Sequence, residues 1–98
     1  MTPAEFKTSL AKQSPPTGLS LALAALWWVG KDEWDKAHQI TMSAKDADCA
    51  WVHAHLHRVD GDLDNARYWY RRAGRAPATG ELATEWTAIV AVLLSAPR

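Results

Sequence analysis

The apolar positions of this chain recur at helical spacing, and no segment shows the period-two alternation of a half-buried strand. Phe6 and Leu10 lie four residues apart behind Thr2-Pro3-Ala4-Glu5. That stretch is a capping box with Pro at the first helical position, so it predicts a helix over 3–12. Ser14-Pro15-Pro16-Thr17 ends it, because neither proline carries the N–H that a helix needs. Next comes a helix over about 18–29. Leu19, Leu23, Leu26 and Trp27 form one stripe, and Leu21, Ala25 and Trp28 lie opposite. A helix apolar on two sides is expected between layers or at a subunit contact. Gly30 is the expected C-cap and Asp32 the next N-cap, opening a third helix over 33–43 with Trp34, Ala37 and Ile40 at helical spacing.

Asp46 caps a fourth helix over 47–59, Gly61-Asp62 turns the chain, and a fifth helix fills 63–74. Asp64 in its first turn and Arg71 and Arg72 in its last match the helix dipole. Pro77-Ala78-Thr79 leads to a final helix over 80–95, with Leu82, Trp86, Ile89, Val90 and Leu93 around one broad face. That face is wide enough to pack across the end of the helices before it, or to pair with a second chain as a homodimer.

Two of the turns share a shape. Gly30-Lys-Asp-Glu-Trp34-Asp-Lys-Ala37 and Asp60-Gly-Asp-Leu63-Asp-Asn-Ala66 each run from a polar turn through an apolar residue to an alanine. The step from Ala37 to Ala66 is therefore the repeat interval. A helix precedes and follows each turn, so the unit is an antiparallel helix pair used twice. Residues 18–77 thereby resemble the tetratricopeptide repeat: Ala54 fits the small position of a first helix, Ala66, Tyr70 and Ala73 fit a second, and Gly61 sits at the turn with Pro77 shortly after. The interval is shorter than that family's usual ~34 residues, and Thr41 stands where the first copy should carry an aromatic. The stretch His53–Arg75 also resembles a signature of small bacterial proteins of unknown function. Its elements here are His53, His57, Arg58, Gly61 and Asp62, then Asn65, Ala66, Tyr68, Trp69, Tyr70, Arg72, Ala73 and Gly74. Both resemblances imply an all-α fold of helical hairpins, tetratricopeptide-like, with hairpins at 18–43 and 47–74 between an N-terminal helix and a C-terminal cap. Neither brings an activity with it.

Composition narrows the partners. Eleven basic residues balance eleven acidic ones, which removes the bulk electrostatic reason to expect nucleic acid or an anionic membrane. The apolar stretches at 19–29 and 88–96 fall short of the ~20 residues of a bilayer span, and no secretory leader is evident. The single cysteine, Cys49, has no intrachain partner, so a cytoplasmic protein is expected. Six tryptophans, once or twice per helix, read mainly as wedges between helices, with Trp28 and Trp51 off the main stripes.

Candidate chemistry concentrates in the fourth and fifth helices. Cys49, Val52, Leu56 and Val59 form the apolar stripe of the fourth, and His53 and His57 sit one turn apart beside it. Two histidines at i and i+4 can reach one Zn²⁺ or similar ion, and Cys49 or Asp60 could add a ligand. The bland reading is that such a pair merely bonds to backbone or to carboxylates across the turn. A Cys49–His53 nucleophile pair lacks an orienting third group, and a thiol on an apolar stripe is a poor nucleophile. On the fifth helix Leu63, Ala66, Trp69, Tyr70 and Ala73 face inward, while Asp64, Arg67, Tyr68 and Arg71 face outward. Trp51, His55, Arg58, Tyr68 and Arg71 are therefore the expected binding surface, since arginine forks pair with oxyanions and stack on rings. The bland counterpart is a solvated face of mutually neutralised charges. The leading expectation is a non-enzymatic module that binds a protein or peptide and needs no cofactor; the runner-up is a divalent-metal protein built on His53 and His57.

Overall fold

A computed structural model describes residues 1–95, and within them the chain forms six α-helices and no strand. They are α1 (Pro3–Ser9), α2 (Leu21–Gly30), α3 (Trp34–Met42), α4 (Ala47–Val59), α5 (Leu63–Ala73) and α6 (Leu82–Ser95). The fold class is the expected all-α arrangement of helical hairpins, α2 with α3 and α4 with α5. Among these helices none is long and apolar enough to cross a membrane.

Capping chemistry sets most boundaries. Thr2 and Glu5 close a reciprocal capping box on α1, and Asp46 accepts from the Cys49 N–H at the start of α4. α2 begins later than its apolar run, because Ser20 Oγ accepts from Leu23 N at 3.2 Å and leaves Gly18 and Leu19 in the preceding turn. α1 stops at Ser9 rather than at residue 12. Lys31 Nζ then fixes the chain beyond it by donating to the carbonyls of Leu10 at 2.8 Å and Lys12 at 2.9 Å.

The repeat is present in the backbone. Asp32 and Gly61, separated by the same interval as Ala37 and Ala66, both hold the left-handed conformation, with φ of 61° and 80°. The bond from Glu33 N to Trp28 O (2.9 Å) recurs as Asp62 N to His57 O (2.8 Å), donor and acceptor each shifted by that interval. Gly30 is not the cap: it lies inside α2, and Lys31 takes that position. A Cβ at Gly30 would come within 2.8 Å of Leu10 and 3.1 Å of Trp86, so the bare backbone lets α1 and α6 close against α2.

Each hairpin closes on a buried alanine, Ala37 in the first and Ala66 in the second. The core gathers Phe6, Leu23, Leu26, Trp27, Val52, Leu56, Tyr70, Ile89 and Val90. The final helix does not simply cover the end of the array. α6 packs on α4, α2 and α1, against the side where the first helices of the two hairpins meet. Trp86 Nε1 donates to Leu26 O at 2.8 Å and anchors it there. That side of α2 and α4 is thus covered by the chain itself. Two residues assigned to apolar stripes, Val59 and Leu63, are largely exposed at the α4–α5 turn.

Candidate metal centre

His53 and His57 sit on successive turns of α4, their rings stacked with centroids 4.9 Å apart. A third histidine meets them. α3 closes on α2 through Ala37, and the next residue round the helix, His38, faces α4. Its Nε2 lies 3.1 Å from Nε2 of His53. One ring nitrogen from each of His38, His53 and His57 lies within 4.8 Å of the other two, and this is the one such group of three among the described residues.

Aromatic walls hold the rings in place. Trp34 stacks on His38 (4.6 Å between centroids, 16° between planes) while its Nε1 donates to Leu56 O at 2.8 Å, bridging α3 to α4. Trp69 of α5 stacks on the other side of His53 at 3.9 Å and 14°. Arg72 lies over both Trp69 and Tyr68, on the outer side of that wall. Three helices, α3, α4 and α5, therefore contribute to the site.

The electrostatics favour uncharged His38 and His53 rings, whose Nε2 atoms share one hydrogen bond. Burial, reinforced by the positive charge that His38 and His57 would carry, pushes the His53 pKa down to about 4. His38 is lowered as well, by desolvation first and by His57 second. At neutral pH both rings are uncharged, the form that ligates a metal. His53 is only 2% exposed, and its Nδ1 has no hydrogen-bond partner at all. An orphaned buried ring nitrogen costs stability, and it is not the Nε2 that approaches His38.

Asp60 and Cys49 separate at this point. Asp60 Oδ2 is 3.4 Å from His57 Nδ1, beside the ring rather than among the grouped nitrogens. That is where an outer carboxylate orients a metal-binding imidazole. Cys49 is buried and outside the group, and burial together with Asp46 pushes its thiol up to about 12. A thiol in that state is neither a ready ligand nor a nucleophile.

The residues expected to share a binding surface divide into two sets. His55 and Trp51 are buried, and Arg58 is largely so. His55 and Arg58 turn inward to Glu85, while Trp51 lies beneath the Arg75 guanidinium at 3.8 Å and edges a groove that also touches Glu85. Tyr68 and Arg71 are exposed on α5.

Sequence reasoning missed His38 and Glu85. His38 left a trace, since it follows the alanine that marks the hairpin crossing and lies one turn beyond Trp34. Comparison of the chain with protein-family models, curated proteins and solved structures returned no match.

Proposed function

We propose that the protein binds a first-row transition metal, Zn²⁺ or a close neighbour, through His38, His53 and His57. The observation that carries this reading is the mutual approach of three ring nitrogens within 4.8 Å, with the pKa of His38 and of His53 lowered. Zn–N bonds of about 2.0–2.1 Å in tetrahedral geometry place ligand nitrogens about 3.3 Å apart. The His38–His53 separation of 3.1 Å already meets that spacing. Asp60 supplies the outer carboxylate for His57, and Trp34 and Trp69 hold the rings. Three protein nitrogens leave a coordination position to spare, the pattern of sites that bind water or a further ligand on zinc.

Calorimetric titration of untagged, chelator-treated protein with Zn²⁺ tests this. The expected result is one ion per chain, with His38→Ala weakening it at least 100-fold, the upper end of what loss of even an outer-sphere partner costs (~10–100-fold). No heat, or equal affinity in wild type and His38→Ala, overturns it.

A second reading, a peptide- or protein-interaction module, has one observation in its favour. A groove of about 420 Å³ runs beside Trp51 and Arg75 and is edged by Pro77 and Thr84. If that groove carries the function, Arg75→Glu abolishes partner capture while Zn²⁺ binding is unchanged. Capture unaffected by Arg75→Glu removes this reading.

A further inference from the structure

The repeat matches α2 to α4, and the two helices differ in what covers one face. On α4 that face is Ala50, His53 and His57, all buried. His38 of α3 meets both histidines, and Ala50 shares a cleft with Thr41 and Met42 at the far end of α3. One repeat interval earlier, the step from Ala66 back to Ala37, the same three positions are Leu21, Ala24 and Trp28 of α2. Here the face is open: Leu21 is 51% exposed, and Ala24 and Trp28 are partly so. The other faces of α2 pack on α3, α4 and α6, and α1 lies against α6. α2 therefore keeps a face built to receive a helix, with none of the described helices covering it.

The stripe is apolar throughout. No charged residue lies between Leu21 and Gly30, and Lys36 of α3 borders the stripe over the Trp28 ring at 4.3 Å. The opposite end of the array differs. α5 turns Asp64, Arg67, Arg71 and Arg72 to solvent, the polar outer face that closes a repeat array. An apolar stripe left on the surface at the other end marks an interaction site.

Three features select a second copy of this chain as the occupant. Leu21, Ala24 and Trp28 stand at i, i+3 and i+7, the narrow seam along which two helices pair. Run antiparallel, which also sets opposite helix-dipole ends together, the seam is complementary to itself. The large Trp28 of one copy then lies over the small Ala24 of the other, and the two-fold axis repeats the contact. Finally, the formal net charge is zero, so no net repulsion keeps two copies apart.

We propose that α2 is a self-association face, on which two copies pair about a two-fold axis through antiparallel α2 helices, with Trp28 of each over Ala24 of the other. α2 has 10 residues, about 15 Å of helix. A contact of that length falls among interfaces below ~1,200 Å², so the dimer is reversible and concentration-dependent. The pairing is independent of the metal reading, because it shares no residue with the histidine site.

Sedimentation velocity of untagged protein from about 10 µM to about 1 mM tests it. The mean mass is expected to climb from one chain toward two and to stop there. Ala24→Glu or Leu21→Glu places a charge in the seam and weakens association at least about tenfold, whereas Tyr68→Glu on α5 leaves it unchanged. Leu21 is the more exposed of the two seam positions, so its variant decides the matter even if Ala24→Glu fails to fold. In a mixture of ¹³C-labelled and unlabelled wild-type chains, isotope-filtered NOEs should join the Trp28 ring to the Ala24 methyl of the other copy. A single-chain mass throughout, association untouched by Leu21→Glu, or a dimer without that NOE overturns the proposal. Growth beyond two chains also overturns it, and would mark end-to-end stacking of α5 on α2 instead.

Discussion

Glu85→Ala should be the most damaging single substitution of a polar residue in this protein. The carboxylate joins three helices, with His55 and Arg58 on α4, Tyr70 on α5 and itself on α6. Its side chain is 5% exposed, and those of two of its partners are 2% for His55 and 11% for Arg58. Removal leaves the Arg58 guanidinium without its carboxylate and the Tyr70 hydroxyl and His55 N–H without acceptors. Breaking a buried ion pair from one side costs about 3–5 kcal/mol. Arg58 keeps a second bond, to Gly80 O at 2.7 Å near the surface, so the lower half of that range applies, about 3 kcal/mol. Against a total stability of roughly 5–15 kcal/mol this is a large share. With an m-value of about 1.5 kcal/mol/M, the urea midpoint should fall by about 2 M. Tyr70→Phe removes one bond and leaves the carboxylate two partners, so it should cost only about 1 kcal/mol. Urea unfolding followed by circular dichroism gives both numbers. A Glu85→Ala loss below about 1 kcal/mol would mean that the network is no more than a solvated surface pair.

Other expectations follow from the backbone, the thiol and the histidines. In chelator-treated protein, His53 binds a proton more readily unfolded, near pH 6.5, than folded, near pH 4. Its contribution is therefore complete above about pH 6.5 and is lost as pH falls toward 4, on the order of 3 kcal/mol in all. A flat stability profile between pH 7 and 4.5 would contradict the burial of His53. Gly61→Ala should cost about 1 kcal/mol, because φ is +80° with no steric contact near the added methyl. Asp32→Gly, at the equivalent position in the first turn, should be neutral or stabilising by thermal melting, and a clear loss there would argue against strain at φ 61°. Cys49 should react with a thiol reagent only after unfolding; rapid reaction of native protein would contradict a thiol pushed up to about 12.

The helices were legible because their signals are local. The capping box at Thr2–Glu5, the Asp46 cap and the turns at Asp32 and Gly61 all act within a few residues, and the shared shape of those turns reappears as matching backbone bonds. What the periodicity could not supply was which faces meet. α6 has a broad apolar face, but whether it covers the end of the array or the α2–α4 side depends on the shapes of helices far apart in the chain. His38 lay hidden for the same reason, since its partners are on another helix. Glu85 was readable in principle: it falls one turn before Ile89, on the side of α6 that faces inward. An acid at an inward position signals a buried partner. Trp51, His55 and Arg58 share a helix-wheel sector of α4, yet Glu85 draws His55 and Arg58 inward, which no wheel of α4 alone can reveal.

The most direct measurement is a Co²⁺ titration of untagged, metal-free protein, read by visible absorption. A tetrahedral site built on three imidazoles should give d–d bands that grow to one equivalent. They should vanish in His38→Ala and persist in Cys49→Ser. Bands that survive His38→Ala, bands lost in Cys49→Ser, or no bands at all would contradict a metal centre on His38, His53 and His57.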